Sequence, residues 1–120
     1  MKLVREHINE KFKEDTDPIS DLGIGLLSNI KKEYEHISRI SLYERGDYLF
    51  HNGSWMGASM CVQDILRRLL KKEYTSLKNF NKTIQAIFKE KIRSHSLTPI
   101  GIKAVTDYFK RKFDIDLKDN

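Results

Sequence analysis

The spacing of apolar residues in the second half of the chain constrains the fold most strongly. From position 62 onward these residues recur every three to four positions, which places them on one face of an α-helix. Three helices are predicted on this basis. Their apolar faces consist of Val62, Ile65, Leu66, Leu69 and Leu70 in the first, Leu77, Phe80, Ile84, Ile87, Phe88 and Ile92 in the second, and Ile102, Val105, Phe109 and Phe113 in the third.

Residues that commonly cap helices stand before each of these apolar stretches. Ser54 or Ser59 is the predicted cap of the first helix, and Ser76 of the second. Thr98 and Pro99 favour the start of the third, because the threonine oxygen accepts a free backbone N–H and proline tolerates the first helical position.

The first half of the chain predicts two further helices joined by a hinge. Apolar residues recur every four positions within 2–13 and every three or four within 24–38. Between them, one proline and two glycines, including Gly23, favour a bend. We therefore predict a mainly α fold of about five helices, with an N-terminal helical arm and hinge at 1–23 and a single helical domain at 24–120.

Residues 39–54 lose the helical spacing. β-forming side chains alternate there with two groups of turn-forming residues, Arg45-Gly46-Asp47 and Asn52-Gly53. This segment is predicted to form a short β-hairpin or an ordered loop.

The number and spacing of the cysteines and histidines indicate whether the chain could bind a metal and in which cellular compartment it is expected. Cys61 is the only cysteine, so no intramolecular disulfide can form, and the four histidines are too widely spaced for a zinc site. No apolar run approaches the roughly 20 residues that span a bilayer. We therefore predict no metal, no cofactor and no membrane partner, and we expect the protein in the cytoplasm.

Candidate catalytic groups are few. Cys61 and His51 form one conceivable nucleophile and base pair, and acidic residues between 33 and 47 form a conceivable carboxylate pair. A lone cysteine beside an apolar face is usually buried, and acids on exposed helix faces are usually solvated. The sequence therefore predicts a non-enzymatic protein with no catalytic residue.

Charge is distributed unevenly between the two halves of the chain. Residues 1–60 carry 8 basic and 10 acidic side chains, whereas residues 61–120 carry 14 basic and 7 acidic ones. Within 67–112 there are 13 basic residues and three acidic ones. This asymmetry favours a polyanionic partner, either nucleic acid or an acidic protein surface.

The basic residues follow the solvent faces of the three predicted C-terminal helices. On the middle helix, four of them fall within about 60° of one another and away from the apolar face. The predicted nucleic-acid-binding residues are Arg67, Arg68, Lys71 and Lys72, then Lys78, Lys82, Lys89 and Arg93, and finally Lys103, Lys110 and Arg111. Contacts of this kind would bind the phosphate backbone without base specificity.

Two alternatives remain open. The last two helices are joined by a short linker, so they also fit a helix-turn-helix regulator with residues 98–113 in the major groove. Trp55 and Met56 favour a protein-interaction module instead, such as a structural subunit or an inhibitor of a host protein, because tryptophan is enriched at interface centres. A homo-oligomer belongs to this second alternative.

The first ten residues, Met1-Lys2-Leu3-Val4-Arg5-Glu6-His7-Ile8-Asn9-Glu10, resemble the capsid-targeting leader of internal head proteins of T-even-type tailed phages. In that family the leader directs a small basic protein into the prohead, and a protease cuts after a glutamate that follows Ile or Leu by two positions. Ile8 and Glu10 match this pattern. The resemblance implies a virion-associated phage protein, processed at Glu10, that is made in the cytoplasm of the host cell.

Overall fold

Five α-helices make up the part of the chain that the computed structural model describes, which is residues 22–50 and 56–118, with side chains from 25–50 and 57–118. The helices are α1 (Leu22–Arg39), α2 (Leu42–Phe50), α3 (Met56–Leu70), α4 (Leu77–Ser94) and α5 (Pro99–Phe113). These ranges contain no β-strand. The predicted mainly α fold is confirmed, whereas the predicted helix at 2–13 lies outside the described residues.

Helix α3 forms the centre of the fold and packs against each of the other four helices. Its apolar face is completely enclosed, because Val62, Ile65, Leu66 and Leu69 have no exposed surface. Helices α1, α2, α4 and α5 surround α3 and leave their outer faces to solvent. None of the described helices has the length and apolarity needed to cross a membrane.

Helices α4 and α5 begin at the predicted residues. The Ser76 hydroxyl accepts a hydrogen bond from the Asn79 N–H at 2.9 Å, and the Thr98 hydroxyl accepts one from the Gly101 N–H at 3.2 Å. Each side chain thereby satisfies one of the backbone donors that a helix leaves unpaired at its start. Both predicted caps are confirmed.

The C-terminal tail is held against α4 by one side chain. Gln85 donates a hydrogen bond to the carbonyl of Asp116 at 2.7 Å and accepts one from the Lys118 N–H at 3.0 Å. Ile115 and Leu117 are buried beneath this contact. The tail therefore covers one flank of α4 and leaves its outer face uncovered.

The predicted hairpin or loop at 39–54 is wrong over residues 42–50, which form α2. Ser41 and Glu44 explain the difference, because the Ser41 hydroxyl accepts from the Glu44 N–H at 3.1 Å while the Ser41 N–H donates to the Glu44 carboxylate at 3.4 Å. This reciprocal arrangement is a capping box, which starts a helix. Leu49 and Phe50 then bury the inner face of α2, which offsets the cost of a glycine within it.

Two smaller predictions are also corrected. Gly23 and Gly25 lie in the first turns of α1 and do not interrupt it, since a glycine permits a bend without requiring one. Ser59 is not a cap, because α3 begins at Met56 and Ser59 is fully buried inside the helix. The other candidate, Ser54, lies outside the described residues.

Replacing Ser41 with alanine is expected to lower the free energy of unfolding by about 1 kcal/mol, because the start of α2 loses its cap. Ser28 offers a matched control, since it is exposed in the middle of α1, where alanine is the better helix former. Urea denaturation of the two single variants measures the difference. Equal effects of Ser41→Ala and Ser28→Ala would contradict the assignment of the capping box.

Candidate nucleic-acid interface

A row of four basic side chains follows the solvent face of α4. It lies opposite the buried residues of this helix, which include Phe80, Ile84 and Phe88. At a rise of 1.5 Å per residue, the row extends along the helix for about 22 Å. We call this row the α4 stripe, and its members, all exposed, are Lys78, Lys82, Lys89 and Arg93.

No carboxylate from the described part of the chain pairs with the α4 stripe. The only acidic residue on α4 is Glu90, which faces Arg68 at 3.7 Å and Lys91 at 3.9 Å on the side toward α3. On the other flank, the Asp116 carboxylate is 3.4 Å from Lys110. The cationic groups of the stripe therefore remain available to an external anion.

The basic residues of α3 divide into two groups. The Arg67 and Arg68 side chains pair with Asp64 and Glu90, respectively. Lys71 and Lys72 are exposed, and no described carboxylate pairs with either of them. They lie in the short connection that leads to Lys78, at the end of the molecule where the α4 stripe begins.

The predicted basic residues of α5 are engaged within the protein. Lys103 pairs with Asp107 at 3.0 Å, and Lys110 pairs with Asp114 at 2.9 Å. The Arg111 guanidinium donates a hydrogen bond to the carbonyl of Leu49 at 2.6 Å, at the end of α2. This helix therefore presents fewer available cations than its basic residues suggest.

Asp64 gathers basic groups from two helices. Its carboxylate accepts hydrogen bonds from Arg67 on its own helix and from His95 just beyond α4, and the Lys91 ammonium lies 3.3 Å away. Burial alone would raise the pKa of Asp64, but the hydrogen bonds from these basic side chains hold it well below its ordinary value. Asp64 therefore stays ionised and neutralises part of the positive charge on α3.

The prediction that the acidic residues between 33 and 47 are solvated is wrong for Glu33, which is buried on the inner face of α1. It accepts hydrogen bonds from the hydroxyl groups of Tyr48 and Tyr108, and the Lys112 ammonium lies 3.6 Å from it. Burial alone would lower the pKa of Lys112, but the charge of Glu33 raises it above its usual value. Lys112 is thus paired with a buried carboxylate, although 43% of its side chain remains exposed.

Comparison with other proteins adds nothing to these observations. No protein family, curated protein or solved structure matches the chain significantly. Any inference about function therefore depends on the sequence itself and on the geometry of the described residues.

The remaining predicted sites add little to the description of a functional site. Glu10 and Trp55 lie outside the described residues, as does the side chain of Met56. Cys61 is buried, and this burial raises the pKa of its thiol to about 12, which disfavours the thiolate that a nucleophile requires. The described residues contain no group of three His, Cys, Asp or Glu side chains that would hold a metal ion.

Proposed function

We propose that this chain binds the phosphate backbone of nucleic acid through the α4 stripe, without base specificity. One observation carries the proposal, namely that Lys78, Lys82, Lys89 and Arg93 share an exposed face with no carboxylate partner among the described residues. Flexible cations on a straight helix suit the repeating charge of a phosphate backbone, which needs positive charge but no base-reading groups. Lys71 and Lys72 extend this surface at one end.

The proposal includes a role as a non-enzymatic phage-type protein that is associated with the virion. Its support is the leader-like sequence of residues 1–10, together with the basic character that internal head proteins of that family share. Backbone binding without sequence preference suits a protein packaged beside a genome, because every stretch of the genome then offers an equivalent site.

The helix-turn-helix alternative has less support. Its recognition helix would be α5, where the exposed residue at the start is Ile100 rather than a polar residue able to bind base edges. Lys103 and Lys110, which would contact the backbone, are already paired with carboxylates. The helix-turn-helix alternative therefore lacks support for both kinds of contact that sequence-specific binding uses, namely contacts to base edges and contacts to the phosphate backbone.

The protein-interaction alternative has one favourable observation. Met60 and Ile100 expose 44% and 63% of their surface, and apolar surface of this kind contributes to protein interfaces where it is contiguous. Met60 and Ile100 would then add to the interface that the sequence predicts at Trp55 and Met56. A stable oligomer in light scattering, together with no shift of DNA mobility, would favour this alternative over nucleic-acid binding.

Binding to a labelled DNA duplex, measured by fluorescence anisotropy between 50 and 300 mM salt, tests the proposal. Four phosphate contacts predict a slope of log K against log salt of about −3.6 for duplex DNA, and about −2.8 for single strands. Replacing Lys82 and Lys89 with glutamine should reduce the slope for the duplex by about 1.8 and lower affinity roughly 100-fold at 50 mM salt.

The matched control replaces Lys103 and Lys110 with glutamine, which removes the same net charge from α5. Because these two lysines are paired with carboxylates, the control should retain most of the affinity. Equal losses in the two double variants would show a general charge effect and remove the argument for the α4 stripe. Absent or salt-independent binding by the unmodified protein would end the proposal altogether.

A further inference from the structure

A cavity of about 300 Å³ lies between α1, α3 and the C-terminal end of α4, and no member of the α4 stripe lines it. Its volume is at the lower end of the range found for small-molecule sites. Tyr34 and Met60 supply an aromatic ring and a thioether to its wall. The other lining residues, all polar or charged, are Gln63, Asp64, Arg67 and His95.

Positive charge exceeds negative charge around this cavity. The Asp64 carboxylate is contacted by Arg67, Lys91 and His95, so three basic groups share one acid. Nη2 of Arg67 makes the contact with Asp64, and about half of the Arg67 side chain remains exposed. The guanidinium therefore retains donors that point to solvent.

A buried arginine next to the lining residue Gln63 adds to this excess of positive charge. Arg45 is only 7% exposed and donates to the Gln63 side-chain carbonyl at 2.8 Å and to the Ile40 carbonyl at 3.1 Å. Its Nε is buried without a hydrogen-bond partner, and none of the described carboxylates pairs with it. Four cations stand against two carboxylates in this group, which leaves two net positive charges even with His95 neutral; the cations are Arg45, Arg67, Arg68 and Lys91, and the carboxylates are Asp64 and Glu90.

We propose that this cavity binds a phosphate monoester whose organic group carries a planar ring. A phosphate monoester carries nearly two negative charges at neutral pH and three acceptor oxygens, which matches the excess charge and the free donors of Arg67. Tyr34 and Met60 form the apolar contact for the ring. The inference does not rest on the proposed binding of nucleic acid by α4.

Isothermal titration of the full chain with phenyl phosphate at low salt tests this site. We expect saturable binding at one site, no binding of phenol, and a loss of about tenfold or more in affinity for Arg67→Gln. Lys82→Gln removes the same charge from the α4 stripe and should leave phenyl phosphate affinity within about twofold, while weakening DNA binding.

A second variant keeps the test decisive if Arg67→Gln disturbs the fold. His95→Gln removes a basic group from the cavity while leaving the pair between Arg67 and Asp64 in place, and it should also weaken binding of phenyl phosphate. Circular dichroism establishes that each variant is folded. No saturable binding by the unmodified chain, or equal losses for folded Arg67→Gln and Lys82→Gln, would overturn the proposal.

Two natural sources share this ligand chemistry, namely a free mononucleotide and the phosphorylated end of a nucleic acid strand. Competition against phenyl phosphate separates them, with a deoxynucleoside monophosphate in one arm and short oligonucleotides with or without a terminal phosphate in the other. The compound that displaces phenyl phosphate from the unmodified chain, and that binds Arg67→Gln more weakly, is identified as the natural source. If neither compound displaces phenyl phosphate, the assignment to a phosphate monoester that carries a nucleobase through its sugar is wrong.

Discussion

Replacing Glu33 with alanine is expected to lower the free energy of unfolding by about 3 kcal/mol, because this buried carboxylate joins three helices. Glu33 on α1 is only 5% exposed and accepts hydrogen bonds from Tyr48 on α2, at 2.9 Å, and Tyr108 on α5. Without the carboxylate, the Tyr108 hydroxyl would be left without a partner in the interior. The Lys112 ammonium, 3.6 Å from Glu33, would lose its counter-charge.

Glu35, two residues away, provides the matched control. Its side chain is 46% exposed and makes only a surface pair with Lys31 at 3.8 Å, so Glu35→Ala should change stability by less than about 0.5 kcal/mol. Urea denaturation compares the two variants, and Glu33→Gln should recover part of the loss by keeping a hydrogen-bond acceptor. Similar stabilities of Glu33→Ala and Glu35→Ala would show that the buried network contributes little.

The parts of the fold that could be predicted from sequence are those specified locally. The periodic apolar faces of α3, α4 and α5 are set by neighbours three and four residues apart, and the caps at Ser76 and Thr98 by neighbours three residues apart. Helix α2 replaces the predicted hairpin because Ser41 and Glu44 have the spacing of a capping box, whereas the sequence Arg45-Gly46-Asp47 alone favours a turn.

Contacts between residues distant in sequence explain what could not be predicted. Glu33 and Tyr108 are 75 positions apart, and Arg45 and Gln63 are 18 apart. No periodicity connects such residues, because their contacts exist only once the helices have packed. The hydrophobic pattern therefore indicated which faces are buried, but not which polar groups would be buried with them.

The candidate interface was only partly predictable, for a different reason. The α4 stripe follows directly from helical geometry. The excess of basic residues within 67–112, however, does not show which of them are paired with carboxylates. Lys103 with Asp107 and Lys110 with Asp114 are pairs four residues apart that the spacing alone could have revealed. Asp64, which neutralises Arg67, lies just before residues 67–112.

Phe88 and Lys89 are adjacent on α4, and their replacements should separate folding from binding. Phe88 has no exposed surface, so Phe88→Ala is expected to lower the free energy of unfolding by about 4 kcal/mol through lost burial and a new cavity. Domains of this size are stable by only about 5–15 kcal/mol, so the variant should approach unfolding at room temperature. Thermal and urea denaturation measure this loss.

Lys89→Ala should change stability by less than about 0.5 kcal/mol, since the side chain lies on the solvent face of α4 without a described ion pair. It should nevertheless weaken DNA binding and reduce the salt slope by about 0.9, the contribution of one phosphate contact to duplex DNA. Phe88→Ala, measured in the cold where it remains folded, should keep that slope. If Lys89→Ala destabilised the protein as much as Phe88→Ala, the buried and exposed faces of α4 would be assigned wrongly, and the proposed interface would fail with them.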